Sequence, residues 1–376
     1  MATDSYRRYR EDLDLASDLG LSAYRFSIEW SRVEPRPQVF DQQAIDHYRR
    51  IAREVRARGM TPIITLWHFA YPAWLDEPDA SGLRGWERFD APEIFGRYVE
   101  KVIGAFAEVQ PLWLTINEPV IFALQGYVFG KWPPGRREPR AALAVLRNLL
   151  AAHGRAYRII HARWPKALVA FNNFALTLHL TAVSEAFAKS QARRRPVWEN
   201  WAIQPDLWLL VALRPTLRAE MDFAALDYYF PATLSSADQS PWLWPVYPPG
   251  LYEAIKHYAN FFRKPVLIAE NGLATKDGAP RADGWTREAH LVAHVREVLR
   301  ARSDGIPVFG YCYWSLLDNY EWGSFMPRFG LYQVDYGSET LRRIPTAAVA
   351  YYRDIVTHNN LRSSLLQLVS DARGSP

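Results

Sequence analysis

A single cysteine in 376 residues rules out an internal disulfide. Cys312 lies in the apolar run VFGYCYWSLL, where its expected role is that of a small buried hydrophobe. Long apolar runs are missing too: no stretch approaches the roughly 18 residues that a membrane-spanning helix requires, and the opening MATDSYRRYRED is polar and charged. The expectation is an unexported, cytoplasmic protein with no membrane partner. The chain has no HExxH, no Gly-rich phosphate loop and no clustered Cys and His, so no metal and no organic cofactor is expected. Its formal charge of +5 is spread over short clusters (Arg136-Arg137, Arg193-Arg194-Arg195, Arg342-Arg343) outside any nucleic-acid module, so no nucleic-acid partner is expected. There is no linker, low-complexity stretch or short-period repeat, so residues 1–376 read as one domain with a tail, 361–376, of unassigned structure.

Aromatic residues are abundant, with 15 Trp, 20 Tyr and 18 Phe. Rings suit carbohydrate, whose C–H faces stack on them, but a large core also consumes aromatic area. Short β-rich runs alternate with longer helical patterns, which predicts parallel strands joined by crossover helices. The expected strands are Ala23 to Ile28, Thr61 to Leu66, Leu112 to Asn117, Leu168 to Phe174, Ala225 to Phe230, Pro265 to Asn271 and Val308 to Leu316. Expected helices include Tyr6 to Asp18, Gln42 to Arg58, Ala91 to Glu108, Arg140 to Trp164 and Arg287 to Ala301. The polar clusters fall at strand ends, as they do on the catalytic face of a (β/α)8 TIM-type barrel, the expected α/β fold.

Two strands end alike. PLWLTINEP places Glu118 after an apolar run, and PVLIAENG does the same for Glu270. Taken singly, each is an ordinary strand-end carboxylate that could pair with arginine. Taken together, they match the need of a retaining glycosidase for two carboxyl groups about 5 to 5.5 Å apart, one protonated and one ionised.

The segments YRFSIEWSR (Tyr24 to Arg32), TLWHFAYPAWL (Thr65 to Leu75), TINEP (Thr115 to Pro119), IAENG (Ile268 to Gly272), YWSLLDNYEW (Tyr313 to Trp322) and RFGLYQVDY (Arg328 to Tyr336) follow one another in this order. With them the chain resembles glycoside hydrolase family 1, the β-glucosidase family, from about Tyr6 to about Asn359. The resemblance implies Glu118 as acid/base and Glu270 as nucleophile. It also implies that Asn117 and His68 bind sugar hydroxyls, and that Arg25 and Tyr229 support the nucleophile. Trp314 corresponds to the platform under the sugar, and Glu321 with Trp322 to the pair gripping its distal hydroxyls. A carboxylate at Glu321 would repel phosphate, so the implied substrate is a neutral β-glucoside or oligosaccharide, hydrolysed or transferred through a covalent glycosyl-enzyme intermediate. A catalytically silent sugar-binding or scaffolding protein is the alternative, and a biosynthetic enzyme using the same carboxylates a third reading. Oligomeric state is not read from the sequence.

The sequence also departs from the family. Members open with a strand carrying a sugar-binding glutamine, whereas this chain opens at the following helix, leaving seven expected strands where a barrel has eight. The run Ser364 to Ser370 is apolar enough to stand in for the missing strand. Asp227 stands where the family usually has Asn, Phe69 replaces a Trp, and the stretch between the fifth and sixth strands is short.

Overall fold

Runs of apolar, β-branched residues such as Thr61–Thr65 and Val266–Asn271 are buried on both faces, as parallel strands covered by helices must be. In the computed structural model, which describes residues 3–176, 178–179, 202–231, 240–362 and 365, seven such strands form one parallel sheet. They are β1 (Ala23–Ser27), β2 (Thr61–Thr65), β3 (Leu112–Asn117), β4 (Val169–Phe174), β5 (Ala224–Asp227), β6 (Val266–Asn271) and β7 (Val308–Tyr313). Each pairs with the next in sequence. Helices α1 (Ser5–Asp18), α2 (Gln42–Ala57), α3 (Ala91–Ile103), α4 (Pro139–Arg163), α5 (Pro248–Phe262), α6 (Arg287–Ser303) and α7 (Ala348–His358) supply the outer layer. The fold is a (β/α)8 TIM-type barrel. No helix among the described residues is long and apolar enough to cross a membrane.

Helix boundaries follow local chemistry. The Asp41 carboxylate caps α2 by accepting from the backbone N–H of Gln43 and Ala44. Pro92 sits in the first turn of α3, where its missing N–H costs nothing. Much of the aromatic content is structural. Trp30 stacks on Tyr98 with ring centroids 4.9 Å apart, and Trp67, Trp86 and Trp113 are fully buried in the main core. These rings pack between sheet and helices, away from solvent.

Two strands stop three residues before the end of the apolar runs, and other ends differ by a single residue. The fifth stops at Asp227, after which the Asn271 side chain donates to the Tyr228 carbonyl at 2.6 Å. The last strand stops at Tyr313 after two register irregularities against β6. The run Ala91 to Glu108 divides into α3 and a 3₁₀ turn, Gly104–Phe106.

No described strand joins β7 to β1. Ser22 accepts from the Thr61 N–H and Ile28 donates to Thr65, so the backbone groups of Ala23, Arg25 and Ser27 face the open side. Between the two strands lies a cleft of about 910 Å³, lined in part by Leu21, Val308, Tyr311, Leu316 and Ile355, that reaches Arg25, His68 and Trp314. The run Ser364 to Ser370, expected to supply the missing strand, lies outside the described residues except for Leu365. That leucine is buried in a cluster with Leu19, Leu291 and Tyr352.

Helix α1 is held beside this cleft by a buried ion pair. Arg343 Nε donates to Asp12 Oδ1 at 3.0 Å, and both side chains are 1% exposed. Asp12→Ala removes the buried carboxylate and leaves Arg343 only the Leu341 and Thr3 carbonyls and the more distant Glu11, so urea denaturation should show a loss of about 3 kcal/mol.

Candidate active site

At the C-terminal end of β3 the chain turns sharply. Glu118 takes a left-handed backbone, φ 41°, and Pro119 opens the short helix Pro119–Ala123. Pro119 therefore starts a helix as well as ending a strand. A non-glycine residue held this way costs on the order of 1–3 kcal/mol and persists only where its surroundings fix it. Here the Glu118 N–H is fixed by the Asn172 carbonyl at 2.9 Å. Phe69 and Trp322, at the same mouth, share the left-handed backbone with φ 69° and 51°.

Glu270 comes from the end of β6, where it pairs in register with Asp227 of β5. One carboxylate oxygen from each of Glu118, Asp227 and Glu270 lies within 4.8 Å of the other two, and all three residues are buried. A separation near 5 Å belongs to double displacement, since an inverting site needs about 6.5 to 9.5 Å to admit water. Three carboxylates this close could also attract a cation. Here the guanidinium of Arg25 stands against Glu270 Oε1, and protonation relieves the remaining charge.

The environments of the two glutamates differ. Glu270 Oε2 accepts from the Tyr229 hydroxyl at 2.8 Å, and Arg25 donates to Oε1, so both oxygens are stabilised as an anion. Among the described residues Glu118 has no arginine partner, and its Oε1 meets no N–H or O–H donor. Burial, then the negative charges of Asp227 and Glu270, push the Glu118 carboxyl well above the usual range. The two glutamates thus sit in unlike surroundings, one against a guanidinium and one beside two other carboxyl groups.

Arg25 organises the floor of the pocket. Its Nε donates to Thr65 Oγ1 at 3.0 Å and its Nη2 to Asn117 Oδ1 at 2.6 Å. The Asn117 oxygen also accepts from Asn172 Nδ2 at 2.7 Å, while its own buried Nδ2 has no protein partner and is available to a ligand. His68 Nδ1 lies 3.1 Å from Ser27 Oγ. Burial, then the Arg25 charge, lower its pKa to about 3, so the ring is neutral.

The opposite wall is aromatic. Trp314 Nε1 donates to Glu321 Oε1 at 2.7 Å, and the Trp314 ring lies 5.7 Å from that of His68. Desolvation pushes the Glu321 carboxyl up to about 8. Trp322 sits 4.9 Å from Trp132 and 5.3 Å from Trp244, and Trp132 sits 4.9 Å from Phe69.

The structure links Arg25, Asn117, Tyr229 and Glu270 by hydrogen bonds with Glu118 beside them, and His68, Trp314, Glu321 and Trp322 lie along the rim. Sequence reasoning missed Asn172, which bridges Asn117 and Asp227. Its signal was present in VAFNNF, a strand ending in polar residues like those of β3 and β6. Trp132 and Trp244 were also missed, because both sit in Pro-rich loops with no strand-end pattern.

Comparison with known proteins agrees with this geometry. The model for glycosyl hydrolase family 1 matches residues 1–208 and 231–361. Beta-glucosidase A of Thermotoga maritima is 30% identical over 96% of this chain and 88% of its own length. A beta-galactosidase of Sulfolobus acidocaldarius is 27% identical over 97% and 85%. Among solved structures, a beta-glycosidase from Pyrococcus horikoshii superposes with a TM-score of 0.78 at 30% identity, covering 100% of this chain and 89% of that one. The Thermotoga maritima beta-glucosidase in complex with noeuromycin superposes at 0.79 with 28% identity, covering 96% and 89%. A shared fold, six ordered motifs and a close, buried pair of carboxylates converge: the chain belongs to glycosyl hydrolase family 1 and is a retaining β-glycosidase.

Proposed function

We propose that the protein cleaves neutral β-glucosides, with Glu270 as nucleophile and Glu118 as acid/base. The observation that carries this reading is the close pair itself, in which only Glu270 is held by Arg25 and Tyr229. A Glu270 oxygen attacks the anomeric carbon as the bond to the aglycone oxygen breaks, and the Glu118 proton passes to that oxygen. Water then attacks the same carbon, gives its proton to Glu118, and the ester bond to Glu270 breaks to restore the carboxylate. Two inversions leave the β configuration unchanged.

Asn117 Nδ2 and His68 supply hydroxyl partners on one side of the sugar, and Glu321 with Trp314 grips it on the other. The rings of Trp132, Trp322, Trp244 and Phe69 offer an apolar entrance suited to a flat aglycone. The same reading covers oligosaccharides and transfer to an alcohol in place of water. A cytoplasmic location belongs to it as well, supported by the single, free Cys312.

The test is proton NMR of an aryl β-glucoside during hydrolysis. β-Glucose should be the first anomer formed, and first appearance of α-glucose would refute the assignment. Glu321→Ala should lower kcat/KM for the glucoside by about 10-fold through loss of hydrogen bonds to hydroxyls. A 6-phosphoglucoside should be a poor substrate for the parent protein.

A further inference from the structure

We infer that Asp227 is a positioning residue that holds the acid/base proton on Glu118 by accepting it as a hydrogen bond, and so extends activity to more alkaline pH. The inference rests on the proposed role of Glu118.

Asp227 is fully buried at the end of β5, within 4.8 Å of both glutamates. Asn172 Nδ2 donates to its Oδ2 at 2.5 Å. Its other oxygen, Oδ1, meets no N–H or O–H donor, and neither does Glu118 Oε1. Two buried acceptor oxygens in adjacent carboxyl groups satisfy each other only when one carboxyl carries a proton. The two carboxyl groups are neighbours, with one oxygen of each inside 4.8 Å of the other.

Several other groups face Asp227. The Arg25 charge attracts it and the Glu270 charge repels it. The hydroxyls of Tyr229 and Tyr258 and the Cys312 thiol also feel its charge, and each is held in its neutral form by burial. With one guanidinium against three carboxyl groups, a shared proton between Glu118 and Asp227 leaves a net charge of one negative. The first chemical step conserves this balance, because Glu118 gains a negative charge as Glu270 loses its own to the ester. Asparagine, which the family usually has here, could donate an N–H to Glu118. That would favour its ionised form and release the proton at lower pH.

Asp227→Asn keeps the volume and an oxygen for Asn172, so the pocket should fold. On an aryl β-glucoside with a poor leaving group, the alkaline limb of kcat/KM should move to lower pH by about one unit or more. At acidic pH the variant should retain most of its turnover. A uniform loss at every pH, with the limb in place, would reduce Asp227 to a structural part and overturn the inference. Glu118→Gln is the control: if it leaves hydrolysis of this substrate intact, the acid/base assignment fails instead. Should Asp227→Asn not fold, an infrared titration of the parent protein, with Glu118→Gln as its subtraction partner, reads the same proton. A carboxylic-acid band persisting above pH ~7 is expected, and its absence would overturn the inference.

Discussion

Glu270→Ala should lower turnover of an aryl β-glucoside by at least about 10⁴-fold, because the covalent route is lost while the sugar site stays built. The alanine leaves a small space beside Arg25 and Tyr229, whose donors now face no carboxylate. Azide is an anion that fits such a space and attacks the anomeric carbon from the same side. Added azide should restore turnover, and the product should be the α-glycosyl azide, inverted once because no second displacement follows. Unchanged activity in the alanine variant would remove Glu270 from the chemistry. Rescue giving the β-azide would place the azide on the opposite side of the sugar, where Glu118 belongs.

Glu118→Ala should show a different signature, one that depends on the leaving group. A poor leaving group needs a proton as its bond breaks, so its hydrolysis should fall by about 10²- to 10⁴-fold. A dinitrophenolate departs without help, so formation of the glycosyl-enzyme from that substrate should change little and the intermediate should accumulate. A burst of dinitrophenol followed by slow turnover is the expected trace. Equal losses on both substrates would mean that the substitution damaged binding, not proton transfer. In the parent protein the raised Glu118 carboxyl remains protonated well beyond the ordinary carboxyl range. Activity should therefore decline only on the alkaline side of that range.

The barrel was legible in the sequence because each parallel strand is buried on both faces and reads as an apolar run, as Val266–Asn271 and Leu112–Asn117 do. Strand ends were less legible. Tyr228 to Phe230 continues the apolar run of β5, yet the backbone leaves the ladder where a side chain, Asn271, takes over a carbonyl. Glu118 and Glu270 stood out because a carboxylate at the end of an apolar strand demands a reason. Asp227 was visible only as a departure from a pattern, and its contact with Glu118 depends on three strands curving around one pocket. Trp132 and Trp244 carried no local signal, since a tryptophan in a Pro-rich loop reads the same whether it lines a site or covers a core. The many buried tryptophans around Trp30 make that point in reverse: aromatic abundance alone does not mark a sugar site.

The open position between β1 and β7 bears on the same pocket, because the cleft reaches Arg25, His68 and Trp314. The two glutamates differ in how they depend on that position, because Arg25 belongs to β1. Glu118 and Asn117 are fixed from β4 through Asn172, and Glu270 is fixed by Arg25 and Tyr229.

The most direct test of that chemistry is to trap the intermediate. Incubation with a 2-deoxy-2-fluoro-β-glucoside bearing a good leaving group should inactivate the protein with time, and peptide mass spectrometry should find one fluoroglucosyl group on Glu270. A label on Glu118 or Asp227, or time-dependent inactivation with no glycosylated peptide, would contradict the account.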